Sequence, residues 1–166
     1  MKSILEVLVF RPFRVLLLLF VGVVMASALL SAAPLSVGDE YGGGKVVYIL
    51  QPGDPGYKAE EPHGLIAAKE DLPQESLSWV EARASVERME IGGNKGWSLP
   101  DEKELSLLYQ NKDLVGGFRE FSYYWSGSEV GKGKAVALDF FNGDRVESVK
   151  SGTIPGIRRV RPVRKF

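Results

Sequence analysis

"GWSLPDEKEL", residues 96–105, joins a tryptophan and a proline to four charged side chains directly ahead of an apolar helical pattern. Pro100 cannot continue a preceding helix and pushes Leu99 towards an extended conformation, so a strand or loop through Trp97 must end there. Asp101 then stands at a helix N-cap. Glu104 follows at the spacing where its carboxylate reaches back to the Asp101 N–H while Asp101 accepts from the third helical N–H, which predicts a capping box. Both acids lie at the positive end of the helix dipole. Leu105, Leu108 and Tyr109 recur on one face, and Glu102, Lys103 and Ser106 turn to water. The cap accounts for both carboxylates at once, so Trp97, Pro100, Asp101 and Glu104 read as scaffold.

Working outward, 166 residues with 45% hydrophobic and 25% charged side chains suffice for one domain and an extra segment. That segment is N-terminal. Lys2, Arg11 and Arg14 precede "VLLLLFVGVVMASALLSAA" (15–33), a basic start, an apolar run and a small-residue end, the pattern of an export signal. Ala26-Ser27-Ala28 offers a small-x-small cleavage site, and Pro34 disfavours cleavage after Ala33. Uncleaved, the run is long enough to span a bilayer, with Arg11 and Arg14 on the cytoplasmic side. The division is therefore 1–33, signal peptide or signal anchor, and 34–166, one exported domain. Membrane contact is expected only through the uncleaved segment.

The exported part is nearly balanced in charge, which argues against a general nucleic-acid binder. With no cysteine the chain has no disulfide, thiolate metal site or cysteine nucleophile. A single histidine, His63, removes any multi-histidine metal site and leaves serine–histidine catalysis without support. No cofactor is expected.

Strands are predicted at "GKVVYIL" (44–50) and in "HGLIAAKED" (63–71), separated by a loop with Pro52-Gly53 and Pro55-Gly56 turns. Ser78-Trp79-Val80-Glu81 repeats the capping-box logic and opens a first helix with Trp79, Ala82, Val86 and Met89 inward. A second runs from the opening motif to about Asn111. Strands follow in "YYWSGSE" (123–129), "KAVALDFF" (134–141), "DRVESVK" (144–150) and "RRVRPVRKF" (158–166). Asn142-Gly143 predicts a two-residue type I′ hairpin. Strand, two central helices and a β-meander make an α+β domain.

"GDEYGGGKVVYILQPGDPGY", "HGLIAAKED", "GWSLPDEKELSLLY", "GGF", "YYWSGSE" and "VRPVRKF" together resemble the bacterial domain family at the C-terminus of the Legionella collagen-like adhesin, over residues 37–166. The resemblance implies a C-type-lectin-like architecture whose first and last strands pair, and a surface-displayed binding module, some members of which contact sulfated polysaccharides. Two departures stand out: there is no collagen-like tract, and the segment before the first helix, 70–78, is short.

Calcium-dependent sugar binding needs a Glu-Pro-Asn or Gln-Pro-Asp loop and a Trp-Asn-Asp strand. Gln51-Pro52-Gly53-Asp54 and Glu61-Pro62-His63 are only fragments of it, so no metal is expected. The formylglycine-generating enzymes of similar architecture depend on cysteines, and Asp71, Asp101, Glu129 and Asp139 cannot be paired into a glycosidase site from sequence. Arg158, Arg159, Arg161, Arg164 and Lys165 form the one dense charge cluster of the exported part. It reads either as a strip for sulfated or phosphorylated glycans or, preferably, as a terminal strand whose arginines pair with acids such as Asp39 and Glu40. The aromatics Tyr123, Tyr124, Trp125, Phe140 and Phe141 read either as rings for stacking on sugars or, preferably for Trp125 and its alternate neighbours, as core. The expected function is a calcium-independent, non-catalytic module for a polysaccharide or cell-surface glycan. The alternatives are an exported enzyme whose site the sequence hides, or a purely structural envelope protein.

Overall fold

The computed structural model describes residues 34–151 and 158–166; the export segment expected over residues 1–33 lies outside them. Two four-stranded sheets and three helices make up this part, an α+β arrangement. In the first sheet β1 (Glu40–Tyr41), β2 (Gly44–Ile49) and β3 (Gly64–Ala68) are antiparallel neighbours. Three helices follow: α1 (Trp79–Val86), α2 (Glu102–Gln110) and the short α3 (Lys112–Val115). The meander β4 (Tyr123–Val130), β5 (Lys134–Asp139) and β6 (Arg145–Val149) forms the second sheet. β7 (Arg158–Arg159) adds to β4 in parallel, and β8 (Val163–Lys165) crosses to the first sheet and pairs with β3. Among the described residues no helix is long and apolar enough to cross a membrane.

Three expectations need correction. The last strand pairs with β3 and not with the first, because β2 already has β1 on one side and β3 on the other. "RRVRPVRKF" is two strands in two sheets. Its middle, Val160 to Pro162, is where the chain passes between them, with the Val160 and Pro162 carbonyls accepting from Leu72 and Ala68, and Pro162 has no N–H to continue a ladder. The Asn142-Gly143 hairpin is present, but four residues close it: Asp139 N–H bonds the Asp144 carbonyl, and the Gly143 N–H turns back to the Asp139 carbonyl at 2.7 Å. Gly143 supplies the positive φ, 83°. The loop is longer than predicted because Phe140 leaves the strand to enter the core, where it is fully buried.

β3 is buried on both faces, which is why it reads as an unbroken apolar run. Leu65 and Ala67 of β3 face Leu105 and Leu108 of α2, while Ile66 and Ala68 face Trp97. Likewise Tyr124 of β4 joins the α2 core, and Trp125 lies opposite Trp79, Ala82 and Val86 of α1. Gly44 has no alternative. A Cβ there would lie 2.2 Å from the Ala67 carbonyl oxygen and 3.2 Å from the Trp97 ring.

The opening motif stitches these layers together. Trp97 belongs to one cluster, Leu99 to a second and Leu105 to a third. Ser98 exchanges backbone hydrogen bonds with Val163 at 2.9 and 3.0 Å, and the Pro100 carbonyl accepts from Gly127 at 2.7 Å. The capping box is present: Asp101 accepts from the Glu104 N–H at 2.8 Å, and Glu104 accepts from the Asp101 N–H at 2.8 Å. Ser78 and Glu81 form the same box at α1. Asp101→Ala is expected to cost about 0.5–2 kcal/mol of stability, read by urea unfolding, through the lost cap alone.

Candidate functional site

The terminal cluster is not a strip. Arg161 is 0% exposed. Its Nε donates to Asp71 Oδ1 at 2.7 Å, Nη1 to the carbonyls of Ala68, Lys69 and Gly116, and Nη2 to the Gly117 carbonyl at 2.6 Å. The guanidinium carbon lies 4.0 Å from the Phe118 ring centroid. Asp71 spends its other oxygen on the Tyr124 hydroxyl at 2.7 Å, and burial pushes the Tyr124 pKa up from its ordinary value. Arg158 is also buried, over the rings of Trp125 and Tyr123 and bonded to Ser148, and that burial pulls its pKa down. Arg164 donates to the Gly42 carbonyl and sits over Trp97. Lys165 alone points outward, pairing with Glu104 at 3.1 Å. The cluster therefore supplies structural cations. Their acidic partners are Asp71, Glu75 and Glu104, whereas Asp39 accepts from Ser36 and Glu40 pairs with Lys69.

Arg159 is the exception. Its guanidinium reaches a cleft of about 530 Å³ whose walls are the segment 70–75 and the loop 117–119. Arg159 donates to Ser122 Oγ and to Glu75 Oε1, both at 3.4 Å, and the Glu75 carboxylate is itself largely exposed. Arg119 lies on the opposite wall, exposed and without an ion-pair partner among the described residues. Asp71 also lines the cleft, but its charge is already spent on the buried Arg161. Residues 70–75 of the short segment 70–78 thus build one wall.

Two further residues adjoin this cleft. Phe121, 79% exposed, lies on the loop that carries Arg119, and Phe141, 59% exposed, lies on the β5–β6 loop. Their ring centroids are 5.1 Å apart and their planes differ by 24°, a stacked pair. The Phe140 N–H donates to the Ser122 carbonyl at 3.0 Å, which joins the two loops beside Arg159. Of the other aromatics of the meander, Tyr124, Trp125 and Phe140 are fully buried and Tyr123 is half-buried. Neither Arg119 nor Phe121 stood out in the sequence. Their one signal was position, in the loop after Gly116-Gly117.

The other acids that the sequence singled out are also engaged. Glu129 pairs with Lys150 and Arg83, and Asp139 accepts from the Phe141 N–H. Asp54 accepts from the Gln51 N–H and the Tyr48 hydroxyl, which together hold its pKa below the usual carboxylate value. His63 Nδ1 lies 3.1 Å from the Phe166 carbonyl, where it joins the end of β8 to the start of β3. Among the described residues no group of three or more histidines or carboxylates is placed to hold a metal ion. No family model matches the chain, and a search of the curated proteins finds no match.

Proposed function

We propose that residues 34–166 act outside the cytoplasm as a calcium-independent, non-catalytic binding module for an acidic polysaccharide, held in the Arg119–Arg159 cleft. The observation that carries this reading is the state of the charges around the cleft. Asp71 and Arg161 are locked into the fold and Glu75 faces Arg159, so that of the lining carboxylates only Glu70 has no ion-pair partner among the described residues, while Arg119 is uncommitted and Arg159 is held only by long contacts. Guanidinium groups in such a setting recognise sulfate or carboxylate through paired N–H donors. The basic and apolar start of the chain supports export. The sequence motifs that resemble the collagen-like adhesin domain, with its C-type-lectin-like architecture, support the same ligand class.

The test is titration of the full chain, in detergent micelles, with a sulfated oligosaccharide and its unsulfated counterpart. Arg159→Gln is expected to weaken the sulfated ligand about tenfold or more, the value of one charge-assisted hydrogen bond. Glu75→Gln is expected to strengthen it, because the carboxylate that competes for Arg159 is gone. Affinity falls from low to physiological salt as the Debye length contracts to about 8 Å. Calcium chelation changes nothing. Equal affinity for the two saccharides, or a Glu75→Gln variant that binds more weakly, overturns the reading.

A further inference from the structure

We propose that Phe121, backed by Phe141, is a stacking subsite for a sugar ring adjoining the charged cleft, so that one residue of the glycan is held by its oxyanion and a neighbouring one by its apolar face. This rests on the preceding reading of the cleft. Isolated exposed apolar residues are ordinary. Two phenyl rings from separate loops, stacked on each other in water, are a different case, since each loop places its ring where it stays wet.

The geometry leaves a defined binding face. Phe141 covers one side of the Phe121 ring, and the large exposure of Phe121 leaves the opposite side open. The platform is also held in place. The Phe141 N–H donates to Asp139 Oδ1 at 2.9 Å, and the adjacent Phe140 is buried against Phe118 and Tyr124, with centroids 4.9 and 4.1 Å away. Phe118 in turn lines the cleft and lies under Arg161. The aromatic platform and the cleft therefore share one rigid support, and a ligand ring loses little by docking on a surface already ordered. The C–H face of a pyranose is the apolar surface that an open aromatic face accepts. Flanking charge favours no other occupant: Arg119 and Glu120 precede Phe121, and Asn142 follows Phe141, a polar rim suited to hydroxyl groups.

The experiment titrates the full chain in detergent micelles with a sulfated monosaccharide, the same molecule extended by one neutral hexose, and a neutral hexose oligomer. In the wild type the added hexose is expected to improve affinity about three- to tenfold, the range of one aromatic stacking contact. Phe121→Ala removes that gain while leaving the monosaccharide affinity unchanged. Phe121→Trp enlarges the gain, an effect no structural role for the ring would produce. Phe141→Ala reduces it in part. Melting curves of the four proteins are expected to coincide within a few degrees, since both rings are exposed. A gain that survives in Phe121→Ala overturns the subsite and leaves the cleft standing. Binding of the neutral oligomer that is lost in Phe121→Ala, with no preference for sulfate, supports the subsite and overturns the cleft. Absence of binding by all three saccharides overturns both.

Discussion

Arg161→Met is expected to cost about 3–5 kcal/mol of stability, the range for breaking a buried ion pair by deleting one partner. For a domain of this size that lowers the melting temperature by about 10 °C or more. The loss matches that of a large core truncation because Arg161 is shared. It ties the end of β3, the loop after α3 and the crossing between β7 and β8 to one guanidinium. Removing it strands the Asp71 carboxylate and four carbonyls around a cavity. Arg161→Lys is expected to fail as well, since a single ammonium cannot span the acceptors that the planar fork reaches. Asp71→Asn, which keeps one acceptor oxygen for Nε and turns its NH2 towards the Tyr124 hydroxyl oxygen, is expected to cost less than either. Thermal unfolding of the three variants gives the ranking, and a stable, well-folded Arg161→Met protein refutes it.

Trp97→Ala is expected to cost a similar amount, about 3–5 kcal/mol, as a large ring leaves a filled site. The indole packs on Val46, Ile66 and Ala68, and its N–H donates to the Asn94 carbonyl at 2.9 Å. Trp97→Phe keeps most of that packing and leaves the carbonyl unpaired, for a smaller loss of about 1–3 kcal/mol. Both are measurable by urea unfolding. If the Trp97 variants stayed as stable as the wild type but lost a saccharide ligand, the tryptophan would belong to a site and not to the scaffold.

What could be read from the sequence was local chemistry. Asp101 and Glu104, or Ser78 and Glu81, need only each other, so spacing alone predicts the caps. The strands and the order of elements followed from periodicity in the same way. Arg161 shows where this stops. Its acceptors are carbonyls of residues 68, 69, 116 and 117, and every residue type has a carbonyl, so no pattern marks them. A buried arginine and a surface one look alike until the chain is folded. The pairing of the last strand failed for a related reason, because the two-residue β1 had too little sequence to announce that it occupies the edge of β2. Phe121 was hidden by the opposite effect, whereas Phe141 was legible only as a ring for either stacking or the core. Apolar residues near strand ends are read as core, and the hairpin had to be two residues longer than its Asn-Gly signal suggests before Phe141 came out into water.

The division of residues 158–166 between the two sheets also governs when the domain can form. Leu65 pairs with Lys165, and Tyr123 with Arg158, so each sheet waits for residues synthesised long after its first strands. Contacts of such sequence separation slow folding, because loop closure is entropically costly before it is rewarded. On the ribosome, β2 and β3 emerge with no partner on the β3 edge, and Arg161 is not yet there to neutralise Asp71. For a chain that we propose is exported, this delay is useful: a polypeptide that cannot close its sheets early stays threadable through a translocation pore and completes its fold on the far side.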